Sequence, residues 1–331
     1  MKNLIITCAL LFISLSGFSK FYLPDLDLVQ EAERRILLVE LKEIDDDVLW
    51  SLNNETQKQR YKDYVNSYNI AIQDLFERHW TWCDQEVRFV PKSQLEQISD
   101  RDLIRFAVFN SVREIRAVEE QGTYKLTKFN YFYMAKNGLI ETVFDMAFNT
   151  DESVSEGELA LAVKGFNHHL KAVKEGADIY ADFIDINRNI QVLQKKVLFI
   201  DETFNKVDPG LIGRKYPNGF KVVKPEMIKK VLDEQKLVGA VTKVSWNKRE
   251  NHFYCTVFDA ANGRILAVLD FCGKSKKKKK DEDSGAAAYA SMEPSYSTTA
   301  SPEEKVPNFK FLTKKLYGKI TSTMAQKKFL K

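Results

Sequence analysis

The first half of the chain alternates between short apolar runs and one long amphipathic segment. The run Ile36-Leu37-Leu38-Val39, bounded by the acidic Asp45-Asp46-Asp47, is typical of a buried strand. Apolar side chains then recur every three or four residues from about Glu55 to Trp80, which predicts a long helix with one buried face. A short strand follows at Val87–Val90, and Pro91 stands where the first turn of a short helix tolerates proline.

Three more strands are predicted before residue 150, around Arg105–Ile115, Tyr124–Met134 and Leu139–Phe148. Asn137-Gly138 separates the last two. Asn-Gly between apolar runs is a strong hairpin signal, because both residues accept the positive φ of a two-residue type I′ turn. The sequence therefore predicts an antiparallel hairpin that turns at Asn137-Gly138.

The middle of the chain is predicted to be helical. Ser155 and Glu158 have the spacing of a capping box, in which each side chain accepts a hydrogen bond from the backbone N–H of the other residue. Apolar residues line one face over Leu159–Val173, and Gly176 ends that pattern. A second amphipathic helix is expected over Ile179–Leu193.

The pattern of the first half then returns. Lys195–Asp201 repeats the order of Arg34–Glu40, with two basic residues, four apolar residues and one acid in each. The short strand Phe220–Val223 is again followed by a helix-opening proline. The remaining landmarks are three strands and a turn: Ala240–Trp246, Phe253–Asp259, Asn262-Gly263 and Ile265–Phe271. Matching landmarks in one order favour an internal duplication, and two unrelated α/β domains are the alternative.

These patterns predict an α/β fold of the mixed (α+β) kind, with two related modules that each contain a mixed parallel/antiparallel sheet and packed helices. A helix that joins two strands favours a parallel pair with a right-handed crossover, and the hairpins add antiparallel strands. The expected organisation is a signal peptide (1–19), a first α/β module (20–150), connecting helices (151–196), a second α/β module (197–272), a disordered low-complexity linker (273–306) and a basic amphipathic tail (307–331).

The N-terminus has the three parts of an export signal. Lys2 gives a positive start, an apolar run extends over Leu4–Phe18, and Gly17 and Ser19 are small residues at −3 and −1 of a cut before Lys20. The apolar run is shorter than the ~20 residues that span a bilayer, so an uncleaved anchor is the weaker alternative. We therefore expect an exported protein, periplasmic or secreted, with no transmembrane anchor after cleavage.

The charge of the chain is concentrated near its C-terminus. The formal net charge is only +4, and the run Lys276–Lys280 supplies five positive charges, so the folded part is close to neutral. This argues against a nucleic-acid partner. Another envelope protein or an anionic envelope polymer is the partner expected for the basic tail.

The tail could also dock on the second module. Its strands Phe253–Asp259 and Ile265–Phe271 carry apolar residues on both faces, and a sheet that is apolar on both sides needs two covers. The aromatic and aliphatic residues of the tail could supply one. The equally weighted alternative is that the tail does not dock on the second module and contacts a partner instead.

The cysteines indicate neither a redox site nor a disulfide. Trp82-Cys83 resembles the start of a thioredoxin redox motif, but position 86, where the second cysteine would stand, is Glu. With a two-residue turn, Cys255 would face Asp270 and lie diagonal to Cys272, at ~7–8 Å between Cα atoms, which is too far for a disulfide. We interpret Cys83 as a packed residue, and Cys255 and Cys272 as buried free thiols.

Other chemistry-bearing residues are scattered. The four histidines, His79, His168, His169 and His252, do not form a metal-binding motif, and no HExxH, CxxC or Gly-x-Ser-x-Gly occurs in the sequence. The acidic pairs Asp182 with Asp185 and Asp201 with Glu202 are more typical of solvated carboxylates than of acid–base catalysts. The sequence therefore predicts no catalytic, cofactor-binding or metal-binding residue, and no cofactor.

Two classes of function remain open. An exported bacterial envelope protein that acts as a non-enzymatic binding or assembly module is favoured, because no convergent catalytic set is visible. The alternative is a periplasmic or secreted, hydrolase-like enzyme whose site is assembled from residues distant in the sequence. A pocket lined by several convergent polar groups would favour the enzyme.

Overall fold

The structure is a computed structural model, and it describes residues 25–118, 122–150, 153–176, 189, 192–203, 209–215, 219–234, 239–247 and 251–270. The predicted signal peptide, linker and tail lie outside these residues. Cys272 and most of the predicted helix over Ile179–Leu193 lie outside them as well. Among the described helices, none has the length and the apolar character needed to cross a membrane.

The described residues contain ten strands and eight helices. The strands are β1 (Ile36–Leu41), β2 (Val87–Pro91), β3 (Phe106–Val118), β4 (Gly122–Met134), β5 (Ile140–Asn149), β6 (Val197–Asp201), β7 (Phe220–Val223), β8 (Gly239–Asn247), β9 (His252–Asp259) and β10 (Ile265–Asp270). The helices are α1 (Leu26–Glu33), α2 (Asp46–Ser51), α3 (Glu55–His79), α4 (Lys92–Glu96), α5 (Asp100–Leu103), α6 (Glu156–Lys174), α7 (Pro209–Lys215) and α8 (Pro225–Asp233).

The fold is mixed α/β, as the sequence predicts, and all ten strands belong to one sheet. In the first half the spatial order is β2-β1-β3-β4-β5, with β1 parallel to both neighbours and the remaining pairs antiparallel. In the second half the order is β7-β6-β8-β9-β10, with β6 parallel to both neighbours and the remaining pairs antiparallel. The two halves thus have the same strand order and directions, while an internal duplication stays a prediction.

The two halves meet where β5 and β8 pair antiparallel, through Phe148 and Ser245. Beside this pair the Asn149 side chain accepts a 2.8 Å hydrogen bond from the backbone N–H of Val244. Lys243 of β8 forms an ion pair with Glu158 of α6, and the two side chains are 6% and 0% exposed. Glu158 also completes the predicted capping box with Ser155, so one buried carboxylate serves both the start of α6 and the junction of the halves.

Apolar side chains cover both faces of the sheet. One cluster contains residues of α1, α3, α6 and α8 together with Phe109, Phe148 and Phe258. The other contains Ile212 of α7 together with Val257. Successive strand residues such as Val257 and Phe258 point to opposite faces, so the two clusters lie on opposite sides of the sheet.

The prediction that the second module is apolar on both faces is therefore confirmed. The face of the sheet opposite α6 already holds Ile212 and Leu193. Docking of the tail stays a prediction, because residues 307–331 lie outside the described part of the chain.

Both hairpins turn where the sequence predicts, but the prediction of a two-residue type I′ turn is wrong. In each Asn-Gly pair only the glycine has positive φ, +81° at Gly138 and +69° at Gly263. The preceding residues, Asn137 and Asn262, instead accept hydrogen bonds from the backbone N–H two residues on. This is the local bonding that asparagine favours in turns.

The turn between β9 and β10 is longer than the predicted two residues, and this changes the register of the two strands. Phe258 pairs with Ile265, and an irregularity between Ile265 and Ala267 then brings Cys255 opposite Leu269. The predicted pairing of Cys255 with Asp270 is therefore wrong by one residue. Asp270 pairs with Tyr254 instead.

Candidate functional site

A polar cleft opens beside the carboxyl end of β1, and we call it the β1 cleft. Its volume is about 30 Å³, which is room for one small polar group. It is formed by residues of α3, β3 and β4 together with Lys42 after β1 and with Thr150 and Val154 after β5. It is lined by Lys42, Tyr64, Ser111, Arg113, Thr127, Thr150 and Val154.

Lys42 follows β1 and is held in position by α3. The Asn69 side chain accepts a 2.9 Å hydrogen bond from the backbone N–H of Lys42 and donates another of 2.9 Å to its carbonyl oxygen. The Lys42 ammonium lies 4.7 Å from the centre of the Tyr68 ring and 5.8 Å from that of Tyr64, distances at which a cation is attracted to an aromatic face.

Burial lowers the pKa of Lys42 below its ordinary value, and the positive charges of Arg113 and Lys92 lower it further, while Glu40 opposes them. Lowering of this kind means that the ammonium is incompletely solvated and lacks full compensation of its charge. A bound anion would provide that compensation.

Three hydroxyls that line the cleft, those of Ser111, Thr127 and Thr150, take part in two hydrogen-bonded pairs. Thr127 of β4 and Thr150, just after β5, are buried, and their hydroxyl oxygens are 2.8 Å apart. The hydroxyls of Tyr68 on α3 and Ser111 on β3 are also 2.8 Å apart. Each pair ties two elements together.

The remaining polar groups come from α3 and β3. The Tyr64 hydroxyl is hydrogen-bonded to the backbone of Val154, and burial raises the pKa of Tyr64, so the phenol stays protonated. Arg113 is exposed and stands opposite Thr127 in the β3–β4 ladder. Among the described residues that line the β1 cleft there is no carboxylate.

Glu40 is a half-buried acidic residue two positions before Lys42. Burial raises the pKa of Glu40, against a hydrogen bond from the Asn110 side chain and the charges of Lys92 and Lys42. Strongly perturbed ionisable groups cluster at functional sites, although structural charge networks perturb them too.

Neither of the two cysteines among the described residues is a reactive thiolate. Burial raises the pKa of Cys83 to about 11 and that of Cys255 to about 12, so both thiols are protonated near neutral pH. Both are free, as predicted, and Cys272 lies outside the described residues.

The acidic residues weighed from the sequence do not converge on the cleft. Asp201 is buried and accepts hydrogen bonds from the backbone N–H and the hydroxyl of Thr203, which is a local turn, while Glu202 is exposed. Asp182 and Asp185 lie outside the described residues. Within the part of the chain that the structure describes, no group of three His, Cys, Asp or Glu side chains could hold a metal ion.

Sequence reasoning did not find the β1 cleft. Its lining residues span positions 42 to 154, and none belongs to a known motif. The one available signal was a lysine directly after a buried parallel strand, because ligands often bind outside the carboxyl ends of such strands.

Comparisons with known proteins identify no relative. The chain matches no protein-family model, no curated protein and no solved structure.

Proposed function

We propose that this is an exported bacterial envelope protein that acts as a non-enzymatic binding or assembly module, and that the β1 cleft is its binding site. The observation that carries the proposal is the composition of the cleft, whose described lining residues bring the Lys42 ammonium together with several hydroxyls. Convergent polar groups in a concave site are the usual basis of ligand recognition.

Export is supported by the N-terminal pattern, in which a basic residue, an apolar run and small residues precede Lys20. The test is N-terminal mass spectrometry of the protein recovered from the periplasm or the medium. We expect a mature chain that starts at or near Lys20. A soluble product that retains Met1 would contradict the proposal.

An internal duplication is part of the same proposal. It is supported by the equal strand order of the two halves and by the Asn-Gly turns, each with a glycine of positive φ before the last strand of its half. The basic tail (307–331) would then be an additional arm for another envelope protein or an anionic envelope polymer.

A hydrolase-like enzyme is the second candidate, and one observation favours it. Glu40 and Lys42 stand two residues apart, and burial shifts the pKa of each toward its uncharged form. Such a pair is a candidate for general acid–base catalysis. Hydrolysis of a panel of esters, amides and glycosides by the wild type, lost in Glu40→Gln, would favour the enzyme over the binding module.

A further inference from the structure

We infer that two copies of this chain associate through the C-terminal half of β3, residues 110–118, which we call the β3 edge. The two β3 edges pair antiparallel, and the two-fold axis passes between the two Ile115 residues. This pairing joins the sheets of both copies into one. The inference goes beyond the function proposed above and does not depend on it.

The β3 edge has a neighbouring strand on one side only. β3 pairs with β4 over residues 107–118, but its pairing with β1 ends at Phe109. Among the strands that the structure describes, none lies beside the β3 edge on the side of β1. The β3–β4 register runs without a bulge and the β3 edge contains no proline, although both features are common protection against added strands. The backbone of the β3 edge therefore suits the addition of another strand.

The backbone of Ile115 faces away from β4. The carbonyl oxygen of Arg105 accepts a hydrogen bond from the backbone N–H of Ile36 in β1, so the backbone of Arg105 points to the side of β1. Backbone groups alternate between the two sides of a strand, and Ile115 follows Arg105 at an even spacing. The N–H and C=O of Ile115 therefore point outward, and two Ile115 residues that stand opposite each other can exchange both hydrogen bonds.

The apolar side chains of the β3 edge match in this register. Ile115 is 67% exposed and Val112 is 43% exposed. With the axis at Ile115, each Ile115 packs against its copy, and Val112 stands opposite Val118 of the other copy. Cross-strand pairs of β-branched residues stabilise antiparallel strands, so the pairing covers apolar surface that a single copy leaves in water.

The charges of the β3 edge select the same register. Glu114 and Arg116 flank Ile115 and form a 2.8 Å ion pair within one chain. Across the axis, Glu114 of each copy stands opposite Arg116 of the other, so unlike charges meet twice. An axis shifted by one residue would instead set two Glu114 or two Arg116 side chains opposite each other, which is unfavourable. The charges thus oppose the neighbouring registers and favour the one centred on Ile115.

The test is the association state of the full-length mature protein, measured by sedimentation equilibrium from about 1 μM to about 1 mM, a range that covers small interfaces. We expect a monomer–dimer equilibrium in the wild type. Ile115→Lys sets two like charges at the axis and should lower the weight-average mass to that of the monomer. Ile70→Lys is the matched control, because Ile70 is 70% exposed on α3, and it should leave the association unchanged.

An exchange of charges tests the register. Glu114→Arg and Arg116→Glu each set like charges opposite one another, so each single variant should weaken the dimer at least about tenfold. The double variant restores both unlike pairs and should recover the association of the wild type. A general effect of either substitution on the surface would not be reversed in this way.

Three results would overturn the inference. The first is a wild type that stays monomeric over the whole range of concentration. The second is a dimer that Ile115→Lys leaves intact. The third is a double variant that associates as weakly as the single variants, which would contradict the register centred on Ile115.

Discussion

The side-chain amide of Asn69 forms two hydrogen bonds with the backbone of Lys42, one to its N–H and one to its carbonyl oxygen, each 2.9 Å long. A residue in the middle of α3 thus fixes the chain at the point where it leaves β1. This contact is what sets the position of the Lys42 side chain over the tyrosine rings.

Asn69→Ala should lower the free energy of unfolding by about 1–3 kcal/mol, because it leaves two partly buried backbone groups without partners. It should also weaken oxyanion binding, since Lys42 loses its fixed position. Urea unfolding and NMR titrations with acetate and with phosphate measure the two effects. Asn66→Ala is the control, as Asn66 is exposed on the same helix, and equal behaviour of the two variants would contradict the positioning role.

The buried ion pair between Lys243 and Glu158 should contribute strongly to the stability of the junction between the two halves. Lys243→Met removes one partner and leaves a carboxylate buried, for which we expect a loss of about 3–5 kcal/mol in the free energy of unfolding. Lys230→Met, at an exposed lysine of α8, should change it by less than about 1 kcal/mol. Similar urea midpoints for the two variants would show that the pair is not important for the junction.

The turn between β9 and β10 lies directly on α6. A Cβ atom at Gly263 would stand 2.4 Å from the carbonyl oxygen of Leu161 and 2.5 Å from the backbone nitrogen of Gly165. Gly138 has a similar positive φ, but a Cβ atom there would meet nothing within 4 Å. The pair of glycines therefore separates the cost of the backbone conformation from the cost of the close approach.

Gly138→Ala should destabilise the protein by about 1–2 kcal/mol, the usual cost of a left-handed conformation for a residue with a Cβ atom. Gly263→Ala should cost about 1–3 kcal/mol more, because the turn has to move away from α6. Thermal unfolding of both variants measures the difference. Equal losses would mean that the turn and the helix can separate freely.

Much of the local structure could be predicted from the sequence. The spacing of apolar residues predicts α3, and the Ser155–Glu158 pair predicts the start of α6, since both depend on neighbours within a few residues. The single sheet could not be predicted, because it depends on the contact of Phe148 with Ser245, ninety-seven residues later. The prediction of the β9–β10 register failed for a local reason, because the turn at Asn262-Gly263 is longer than two residues.

The candidate site was less predictable than the fold. Lys42 and Arg113 have no sequence spacing that marks them as partners, and Thr127 and Thr150 are ordinary residues of a strand and a strand end. They meet only because β1 stands beside β3 and because α3 packs across both. A site built from donors on separate elements leaves no motif.

The pH dependence of stability should contain a contribution from His169. Burial keeps the pKa of His169 well below the ordinary value of 6.5, and the charges of His168 and Arg264 lower it further. As pH falls below about 6.5, the unfolded chain takes up a proton at this position that the folded protein does not, so stability falls.

The slope from this one group is at most about 1.4 kcal/mol per pH unit. His169→Gln should flatten the pH dependence of the free energy of unfolding between pH 7 and pH 5 relative to the wild type. A wild-type profile unchanged by His169→Gln would contradict the assignment.

The most direct test of the β1 cleft is the pKa of the Lys42 amine, followed by NMR of lysine side chains with and without an anion. An oxyanion beside an ammonium group favours its charged form and raises its pKa. We predict that the pKa of Lys42 lies below its ordinary value of 10.5 in the free protein and rises in saturating acetate or phosphate. A Lys42 pKa that stays the same in both anions would contradict an oxyanion site in the cleft.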